Sequence, residues 1–502
     1  MKTTRKSTPK VRTGCITCKT RRVKCDEAKP NCLRCTRSDR TCGGYPSAPP
    51  ADTTAVEKIT AYNIPFKIPG SRVDRELLHF YCIQAASGLS SYSDPTLWKR
   101  LILQRCHHQP VIRNALVTLS ALYQDHLTNP HVPGGDRPSP SLQSLRLIAR
   151  SHRQLRTHLS SPDASTEVAL ICSIIFYAFE ALLGNAVQAI QHLDQGLTLL
   201  QRCQATAPVN SATDDILPHL TVLFSSLDVQ ASTYNDGRLP VLKLLSPAET
   251  TGLVPVVPDR FCTLADAETA LIKLQNWMLH HLVSSLQYKN QALEHIPVDI
   301  LHERNILHDQ LTKYIATISA SLTCDTHSSI SSRLLLLRLQ ARMFHTILAE
   351  NVPLLSMEDS NPLQQSLEDM SSLLTSTSIQ PVMEGAIPDK RSFTLSTHLI
   401  ATLYYVCMKS TNPSTGDLAL SLLRHERLPS RDGLWDAGTV EAVVHGMRRA
   451  GKANERTPSE GGLDEIRGAR EDRLEYTGAD LLEAAGDGGV YEILSVLRRD
   501  ES

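Results

Sequence analysis

The chain has 502 residues, with 52 Lys and Arg against 52 Asp and Glu, and 41 % of its residues are hydrophobic. This composition is typical of globular proteins and excludes disorder along the whole chain. The longest nearly uncharged apolar run, residues 168–179, has 12 residues, whereas a membrane-spanning helix needs about 20. The first residues, MKTTRKSTPKVRTG, lack the apolar stretch of a secretory signal. We therefore expect a globular protein of the cytosol or nucleus that does not contact a membrane.

The charges are distributed unevenly along the chain. Residues 1–43 contain 13 Lys and Arg against 3 Asp and Glu, which leaves 39 Lys and Arg against 49 Asp and Glu in the remainder. The N-terminal segment therefore carries a net charge of +10 and the rest carries −10. This asymmetry predicts a nucleic-acid contact at the N-terminal end and argues against one on the body.

Six of the 13 cysteines lie between positions 15 and 42, in the segment CITCKTRRVKCDEAKPNCLRCTRSDRTC. The segment is an internal repeat, because the unit C-x2-C-x6-C occurs twice with an offset of 17 residues. Disulfides are rare in the reducing cytosol and nucleus, so such a cluster indicates a metal site. The predicted ligands are Cys15, Cys18, Cys25, Cys32, Cys35 and Cys42.

The number of thiols determines how many zinc ions the segment could hold. Six thiolates fill the eight ligand positions of two tetrahedral zinc ions only if two sulfurs bridge both metals, and the repeat symmetry makes these Cys15 and Cys32. A zinc ribbon made by the first two cysteines of each half is the alternative, and it leaves Cys25 and Cys42 unused. A disulfide framework or a C-x-x-C redox pair would need a secretory signal or a βαβ context, which we do not find. Since the segment has few apolar residues, metal binding must supply most of its folding free energy.

The cysteine spacing, the basic run KTRRVK after the second cysteine and the Lys29-Pro30 turn resemble the fungal zinc binuclear cluster (Zn2Cys6) transcription factors. The resemblance implies two Zn2+ ions as cofactors and double-stranded DNA as the partner, read at a CGG triplet. It also implies a nuclear protein. The alternative interpretation of the basic run is a solvated surface or a nuclear import signal.

The residues between Cys18 and Cys25 lack Gly and Pro and predict a helix of two turns that presents cations to DNA. Arginine suits the O6 and N7 acceptors of guanine, so Arg21 and Arg22 are the predicted base contacts, and the resemblance places basic residues that read CGG at these positions. The predicted phosphate contacts are Lys19, Lys24 and Arg12. The second half, with fewer adjacent cations and Asp39, is expected to grip the DNA backbone.

We predict a mainly α protein in which a small cluster domain is followed by a large helical body. Apolar residues recur with helical spacing, for example at Ile112, Leu116, Leu119 and Tyr123, and alternating strand patterns are hard to find. The segment 78–123 resembles the opening of the helical middle domain of zinc cluster regulators. The predicted divisions are a DNA-binding domain with a basic arm (1–43), a Pro-rich linker (44–71), an all-helical regulatory domain (72–425) and a charged, partly mobile tail (426–502).

Two further segments carry weaker signals. Residues 354–370 interleave acidic and apolar residues, which is compatible with an activation segment but also with an ordinary amphipathic helix. Residues 480–497 predict a last helix. The linker shows no sustained apolar heptad, so a monomer and a homodimer both remain open.

The sequence contains no Walker loop, G-x-S-x-G elbow or G-x-G-x-x-G motif, and its adjacent histidine pairs lack metal-binding spacing. We therefore do not expect an enzyme. The function we predict is sequence-specific regulation of RNA polymerase II promoters, with the transcription machinery or co-regulators as partners and a metabolic pathway as the target. The alternative is a scaffold that binds nucleic acid without strong sequence specificity. Activation and repression are both compatible with the sequence, as is a small-molecule effector of the body.

Overall fold

The structure is a computed structural model, and the chain divides into two compact units, residues 1–68 and 69–502. Helices dominate the described part of the second, larger unit, so the predicted mainly α class is confirmed. The described residues are 13–45, 69–128, 140–206, 216–235, 238–288, 293–324, 328–351, 362–375 and 392–455. Arg12, residues 46–68 of the predicted linker and the predicted helix at 480–497 lie outside them.

Within residues 13–45, the described part of the N-terminal unit, there are two short helices, α1 (Ile16–Thr20) and α2 (Leu33–Thr36). The buried side chains of this part belong to cysteines, and Val23 and Tyr45 pack against this cysteine cluster. Such a small apolar content does not make a conventional hydrophobic core, as the sequence predicted.

The C-terminal unit is built from helices joined by irregular segments. Two π-helical turns, Tyr81–Ala85 and Leu97–Leu101, and two 3-10 turns, Leu286–Tyr288 and Leu293–His295, supplement the α-helices. The α-helices are α3 (Arg72–Phe80), α4 (Ala86–Leu89), α5 (Ile102–His108), α6 (Pro110–Thr128), α7 (Leu142–Leu159), α8 (Thr166–Leu183), α9 (Ala186–Thr206), α10 (Leu217–Tyr234), α11 (Pro247–Thr250), α12 (Leu264–Ser285), α13 (Val298–Cys324), α14 (Ser328–Asn351), α15 (Pro362–Thr375), α16 (Leu399–Lys409), α17 (Pro413–Leu423) and α18 (Ala437–Glu455).

Local sequence signals explain several helix ends. Ser71 and Thr263 begin α3 and α12 with capping boxes, in which each hydroxyl and the carboxylate three residues later satisfy backbone N–H groups of the first turn. Gly184 ends α8 in the left-handed region (φ 79°), where a residue with a side chain would be strained. These signals fix where one helix stops and the next begins.

Helix α8 lies at the centre of the first group of helices, packed against α6 and α9. Length and composition alone would allow it to cross a membrane, but 61 % of its most apolar window is buried inside the protein. The residues predicted to share one face of α6, from Ile112 to Tyr123, are likewise buried. The interpretation of residues 168–179 as part of a buried core helix agrees with this packing.

A second core lies between α10, α12, α13 and α14. Its side chains include the fully buried Phe344 and Tyr314, and the Tyr314 hydroxyl donates a hydrogen bond to the Ala267 carbonyl at 2.9 Å. On α12, His281 contacts a carboxylate oxygen of Glu303 at 2.9 Å, so this histidine has a structural partner within the helical unit.

Helix α15 covers the described part of the acidic and apolar segment 354–370. Its carboxylate Asp369 forms ion pairs with Arg338 and Arg342 of α14, both at 2.7 Å, while Leu367 and Met370 are buried. These contacts favour an ordinary amphipathic helix of the body for residues 362–370. Residues 352–361 lie outside the described part of the chain.

The described residues of the helical unit also include a small sheet of three two-residue strands, β1 (Phe393–Thr394), β2 (Arg431–Asp432) and β3 (Trp435–Asp436). Strand β2 pairs in parallel with β1 and antiparallel with β3. The sequence did not predict these strands, because two residues are too few to show the alternation of a strand.

The buried carboxylate of Asp432 connects the small sheet to the start of α16. It accepts hydrogen bonds from the Thr397 backbone N–H at 2.9 Å and hydroxyl at 2.8 Å, and from the Leu399 N–H at 3.2 Å. The Thr394 hydroxyl donates at 3.1 Å and the Gln230 side chain approaches at 3.4 Å. Because Asp432 is 0 % exposed, these donors replace its lost hydration.

The predicted tail begins within this folded region. The composition predicted a tail from residue 426 onward, but Leu428, Trp435 and Val440 are buried, and α18 extends to Glu455. The reason is that the buried positions here are isolated among charged residues such as Arg431, whose guanidinium is paired with Asp436 at 3.0 Å. A charged residue paired inside the protein cannot be distinguished from a solvated one by composition.

We predict that Asp432→Ala lowers the free energy of unfolding of the helical unit by about 3 kcal/mol, because several buried donors lose their acceptor. Urea denaturation followed by circular dichroism measures this change. The control is Asp417→Ala, which removes a carboxylate that is 71 % exposed and paired with Arg448 at the surface. An effect of Asp432→Ala no larger than that of the control would contradict the role assigned to Asp432.

Candidate metal centre and nucleic-acid interface

The sequence repeat is visible in the backbone of the N-terminal unit. Cys15 caps the start of α1, where its sulfur accepts a hydrogen bond from the Cys18 N–H at 3.4 Å. Cys32 caps α2 in the same way and accepts from the Cys35 N–H at 3.3 Å. Each half therefore places its first two cysteines on one helical turn, with both sulfurs directed to the cluster.

The third cysteine of each half returns to the first. The Cys25 sulfur accepts a hydrogen bond from the Cys15 N–H at 3.4 Å, and the Cys42 sulfur accepts one from the Cys32 N–H at 3.5 Å. Burial alone would raise the pKa of Cys25, but N–H donors from Cys15 and Glu27 lower this pKa to about 7. The N–H groups of Cys32 and Gly44 also lower the pKa of Cys42. Backbone donors thus favour the thiolate, which is the form that binds metals.

Four sulfurs form the centre of the cluster, those of Cys15, Cys18, Cys32 and Cys35, and all lie within 4.8 Å of one another. The sulfurs of Cys15 and Cys32 are 3.6 Å apart, closer than the Cys18–Cys32 pair at 3.7 Å. A buried set of sulfurs at these separations, with two further cysteines beside it, is a donor set that fits zinc. The structure thus brings together the six cysteines that the sequence singled out.

Helix α1 differs from the helix that the sequence predicted. Two turns were expected between Cys18 and Cys25, but α1 begins earlier, at Ile16, and ends at Thr20. Arg22 then adopts the left-handed conformation (φ 54°). The prediction was wrong because a thiol caps the helix at Cys15 and the chain must turn back for Cys25 to reach the Cys15 N–H.

The predicted DNA contacts of the first half lie on and directly after α1. Arg21 donates a hydrogen bond to the Ser38 hydroxyl at 3.1 Å, whereas the side chain of Arg22 forms no hydrogen bond or ion pair with the described residues. Arg12, the remaining predicted contact, lies outside the described residues. The exposed cations of this group are Lys19, Arg21, Arg22 and Lys24.

The second half repeats the backbone of the first but not its charges. Asp39, 17 residues after Arg22, has the same left-handed conformation (φ 51°). Ser38 occupies the position equivalent to Arg21. The two halves therefore carry opposite charges at the left-handed position, and the first half has two consecutive arginines there where the second has Ser38 and Asp39.

Asp26 is a positioning residue that the sequence analysis missed. Its carboxylate accepts hydrogen bonds from the N–H groups of Leu33 (3.1 Å) and Arg34 (2.7 Å), so the first half caps the helix of the second. A bond from the Ala28 N–H and these two bonds lower the pKa of Asp26. An acidic residue directly after Cys25 was the available signal, but its partner eight residues away could not be read from the sequence.

The segment after the last cysteine also holds the halves together. The Thr17 hydroxyl accepts from the Gly43 N–H at 2.8 Å and donates to the Thr41 carbonyl at 3.1 Å. The Tyr45 hydroxyl donates to the Ala28 carbonyl at 2.8 Å. These bonds link α1 to the end of the cluster, so the folded segment extends beyond Cys42.

We predict that Asp26→Ala weakens zinc binding by the cluster about 10-fold, because residues that orient metal ligands typically contribute 10- to 100-fold to metal affinity. Competition with a zinc-binding dye measures the change. Glu27→Gln is the matched control, because it removes the charge of the neighbouring residue. The Glu27 carboxylate accepts a hydrogen bond from the Thr13 hydroxyl and not from the N–H groups of α2. Equal affinities of the two variants would refute the capping role.

Comparison with known proteins identifies two domains. Residues 13–51 match the fungal Zn(2)-Cys(6) binuclear cluster domain, and residues 76–387 match the fungal specific transcription factor domain. The second match covers more than half of the chain. No solved structure matches the chain.

Several curated proteins are similar to the chain. The aspercryptin biosynthesis cluster-specific transcription regulator atnN of Emericella nidulans is 27 % identical over 258 residues, which cover 46 % of this chain and 41 % of that protein. The transcription regulator lscL of Purpureocillium lilacinum is 29 % identical over 40 % of this chain and 51 % of its own length. The transcriptional regulatory protein moc3 of Schizosaccharomyces pombe is 56 % identical over 39 residues, 8 % of either chain. The chain thus spans about half the length of the first two relatives.

These matches agree with the geometry of both units. The N-terminal unit is a binuclear cluster with two zinc ions as cofactors, and the helical unit corresponds to the transcription factor domain. The chain belongs to the family of fungal Zn2Cys6 transcription regulators.

Proposed function

We propose that the chain is a nuclear, sequence-specific DNA-binding protein that regulates RNA polymerase II promoters through CGG-containing sites. The observation that carries this proposal is the group of exposed cations, Lys19 to Lys24, held beside the buried sulfur cluster. A metal-stabilised scaffold fixes their backbone, so little conformational entropy is lost when they contact DNA.

Within the cluster, we assign all six cysteines as zinc ligands, with Cys15 and Cys32 bridging both ions. Two observations support the bridging assignment. The sulfurs of Cys15 and Cys32 are 3.6 Å apart. The backbone N–H groups of Cys15 and Cys32 donate to the sulfurs of Cys25 and Cys42, so each of the two lies beside the third cysteine of its own half, as a shared ligand must.

Arg21 and Arg22 are assigned to the guanines of the CGG triplet. Arg22 is exposed at the left-handed turn that follows α1, and its guanidinium fork suits the O6 and N7 acceptors of guanine. The contact of Arg21 with Ser38 uses one of its five N–H donors and restricts its orientation. Lys19, Lys24 and Arg12 are assigned to phosphates, which position the cluster without reading sequence.

The helical unit is assigned a regulatory role that involves co-regulators or the transcription machinery. The names of two relatives refer to metabolism: the aspercryptin biosynthesis regulator and the arginine metabolism regulation protein II of Saccharomyces cerevisiae, which is 58 % identical over 33 residues. These names support control of a metabolic pathway as the target of this chain. No catalytic step is assigned to it.

The first test is binding of the zinc-loaded chain to a CGG duplex and a scrambled duplex at one salt concentration. We expect Arg22→Ala to weaken CGG binding about 10- to 100-fold, because one bidentate arginine–guanine contact contributes about 1–3 kcal/mol. Lys24→Ala should weaken binding to both duplexes equally and reduce the salt dependence, because a phosphate contact carries no sequence information. Fluorescence anisotropy at several salt concentrations separates the two effects.

The control for this test is Arg37→Ala, which removes an exposed arginine from the second half. Its specificity for CGG should equal that of the unmodified chain. If the unmodified chain binds both duplexes with equal affinity, the hypothesis of a sequence-specific regulator is rejected. The remaining hypothesis is then a scaffold that binds nucleic acid without sequence specificity.

The second test concerns the zinc ligands. We expect native mass spectrometry to find two zinc ions per chain, and all six cysteines of the cluster to resist alkylation until a chelator is added. Cys262, which is exposed, should react in either condition and serves as the internal control. One zinc ion, with Cys25 and Cys42 alkylated, would instead establish the zinc ribbon and end the bridging assignment.

A further inference from the structure

Helix α7 presents an exposed face whose charges form no ion pair with the residues that the structure describes. Its 18 residues, LQSLRLIARSHRQLRTHL, include four arginines and no Asp or Glu. The opposite side of the helix is buried against α6, where the hydroxyls of Ser151 and Thr118 lie 2.8 Å apart and Leu147 faces the core. The orientation of α7 is therefore fixed by its buried side.

One of the four arginines forms an ion pair within the helical unit. Arg150 pairs with Asp74 of α3 at 2.9 Å, and this ion pair connects the two helices. Arg146, Arg153 and Arg156 are exposed and form no ion pair with the described residues. Their spacing of seven and three residues places them in one stripe along the helix.

Exposed leucines lie at both ends of this stripe. Leu142 and Leu145 in the first turn are 64 % and 48 % exposed, and Leu159 at the end is 50 % exposed. We define these three leucines and the three unpaired arginines as the α7 face. Isolated exposed leucines are ordinary, but here they flank concentrated positive charge. A complementary ligand needs acidic groups at its centre and apolar groups at each end.

Residues 474–497 of the same chain have this composition. The segment LEYTGADLLEAAGDGGVYEILSVL contains five Asp and Glu and no Lys or Arg. Asp480, Glu483 and Asp487 occupy its middle, with Leu474 before them and the apolar run VYEILSVL after them. The segment lies outside the described residues, and its composition is the basis of the comparison.

We propose that residues 474–497 dock on the α7 face of their own chain. The tether favours this occupant, because the residues that separate Glu455, the end of α18, from Leu474 reach up to about 60 Å when extended. An attached ligand also acts at an effective concentration of the order of millimolar. Docking covers the α7 face. A partner protein with an acidic and apolar segment must displace residues 474–497 to bind there.

The distribution of apolar groups argues against an anionic membrane as the occupant. A helix that lies in a bilayer surface needs a continuous apolar side to insert. On α7 the middle of the exposed stripe consists of Arg146, Ala149, Arg153 and Arg156, and the leucines lie only at its ends. Such a face suits ion pairs with a peptide better than insertion among lipid chains.

The test uses a fluorescein-labelled peptide of residues 474–497 and fluorescence anisotropy. The peptide should bind a zinc-loaded chain that ends at Arg473, and bind the full chain at least about 10-fold more weakly, because the tethered copy competes. The combined change Arg146→Glu, Arg153→Glu and Arg156→Glu in the shortened chain should weaken binding at least about 10-fold. Arg260→Glu reverses an exposed charge elsewhere and should leave binding unchanged.

A second comparison keeps the residues of α7 intact. In the full chain, Asp480→Arg, Glu483→Arg and Asp487→Arg should release the face, so that this variant binds the labelled peptide as tightly as the shortened chain does. Circular dichroism confirms that each variant retains its helical content. The proposal is overturned if the peptide binds the full and shortened chains equally, if charge reversal on α7 has no effect, or if α7 binds phosphatidylserine vesicles and not the peptide.

Discussion

The N-terminal unit depends on the close approach of its cysteine sulfurs. Four of them lie within 4.8 Å of one another, and little other apolar surface is buried there. The hydrophobic effect therefore contributes little to folding, and coordination of the two zinc ions must supply most of the free energy. The same coordination fixes the backbone on both sides of α1. The exposed cations thus owe their positions to the metal centre, and loss of zinc would remove the scaffold and the DNA-binding surface together.

The near symmetry of the cluster makes its electrostatic asymmetry informative. Both halves share thiol-capped helices, a returning third cysteine and a left-handed residue at equivalent positions. At that left-handed position the first half has Arg22 and the second has Asp39. A carboxylate there would be repelled by DNA phosphates, whereas a guanidinium would be attracted. The reading surface proposed above therefore lies on the first half, because the two equivalent backbones differ in charge.

Much of the site could be predicted from the sequence because the metal requirement is local and periodic. The repeat of C-x2-C-x6-C identified the six cysteines, and helical periodicity identified the body and the buried segment within α8. The bounds of α1 were missed because a thiol, Cys15, is its N-cap, and propensities treat cysteine as a small apolar residue. Asp26 and Asp432 were missed for a different reason: each satisfies backbone donors distant in sequence, and such partners appear only after the chain has folded.

The charged residues of the helical unit differ in whether they have partners within the unit. Most prominent buried or half-buried charges are paired internally, as Asp432 is with its hydroxyl and N–H donors, Asp369 with two arginines and Arg431 with Asp436. Pairing of this kind offsets the desolvation free energy of the buried charges and adds little net stability. Its main effect is to determine which helices and strands pack next to one another. The α7 face departs from this pattern, because three arginines of one helix lack ion-pair partners among the described residues. Residues 474–497 contain five acids and no base. The basic stripe and this segment therefore carry opposite charges, and their attraction favours a ligand of α7 that belongs to the chain itself.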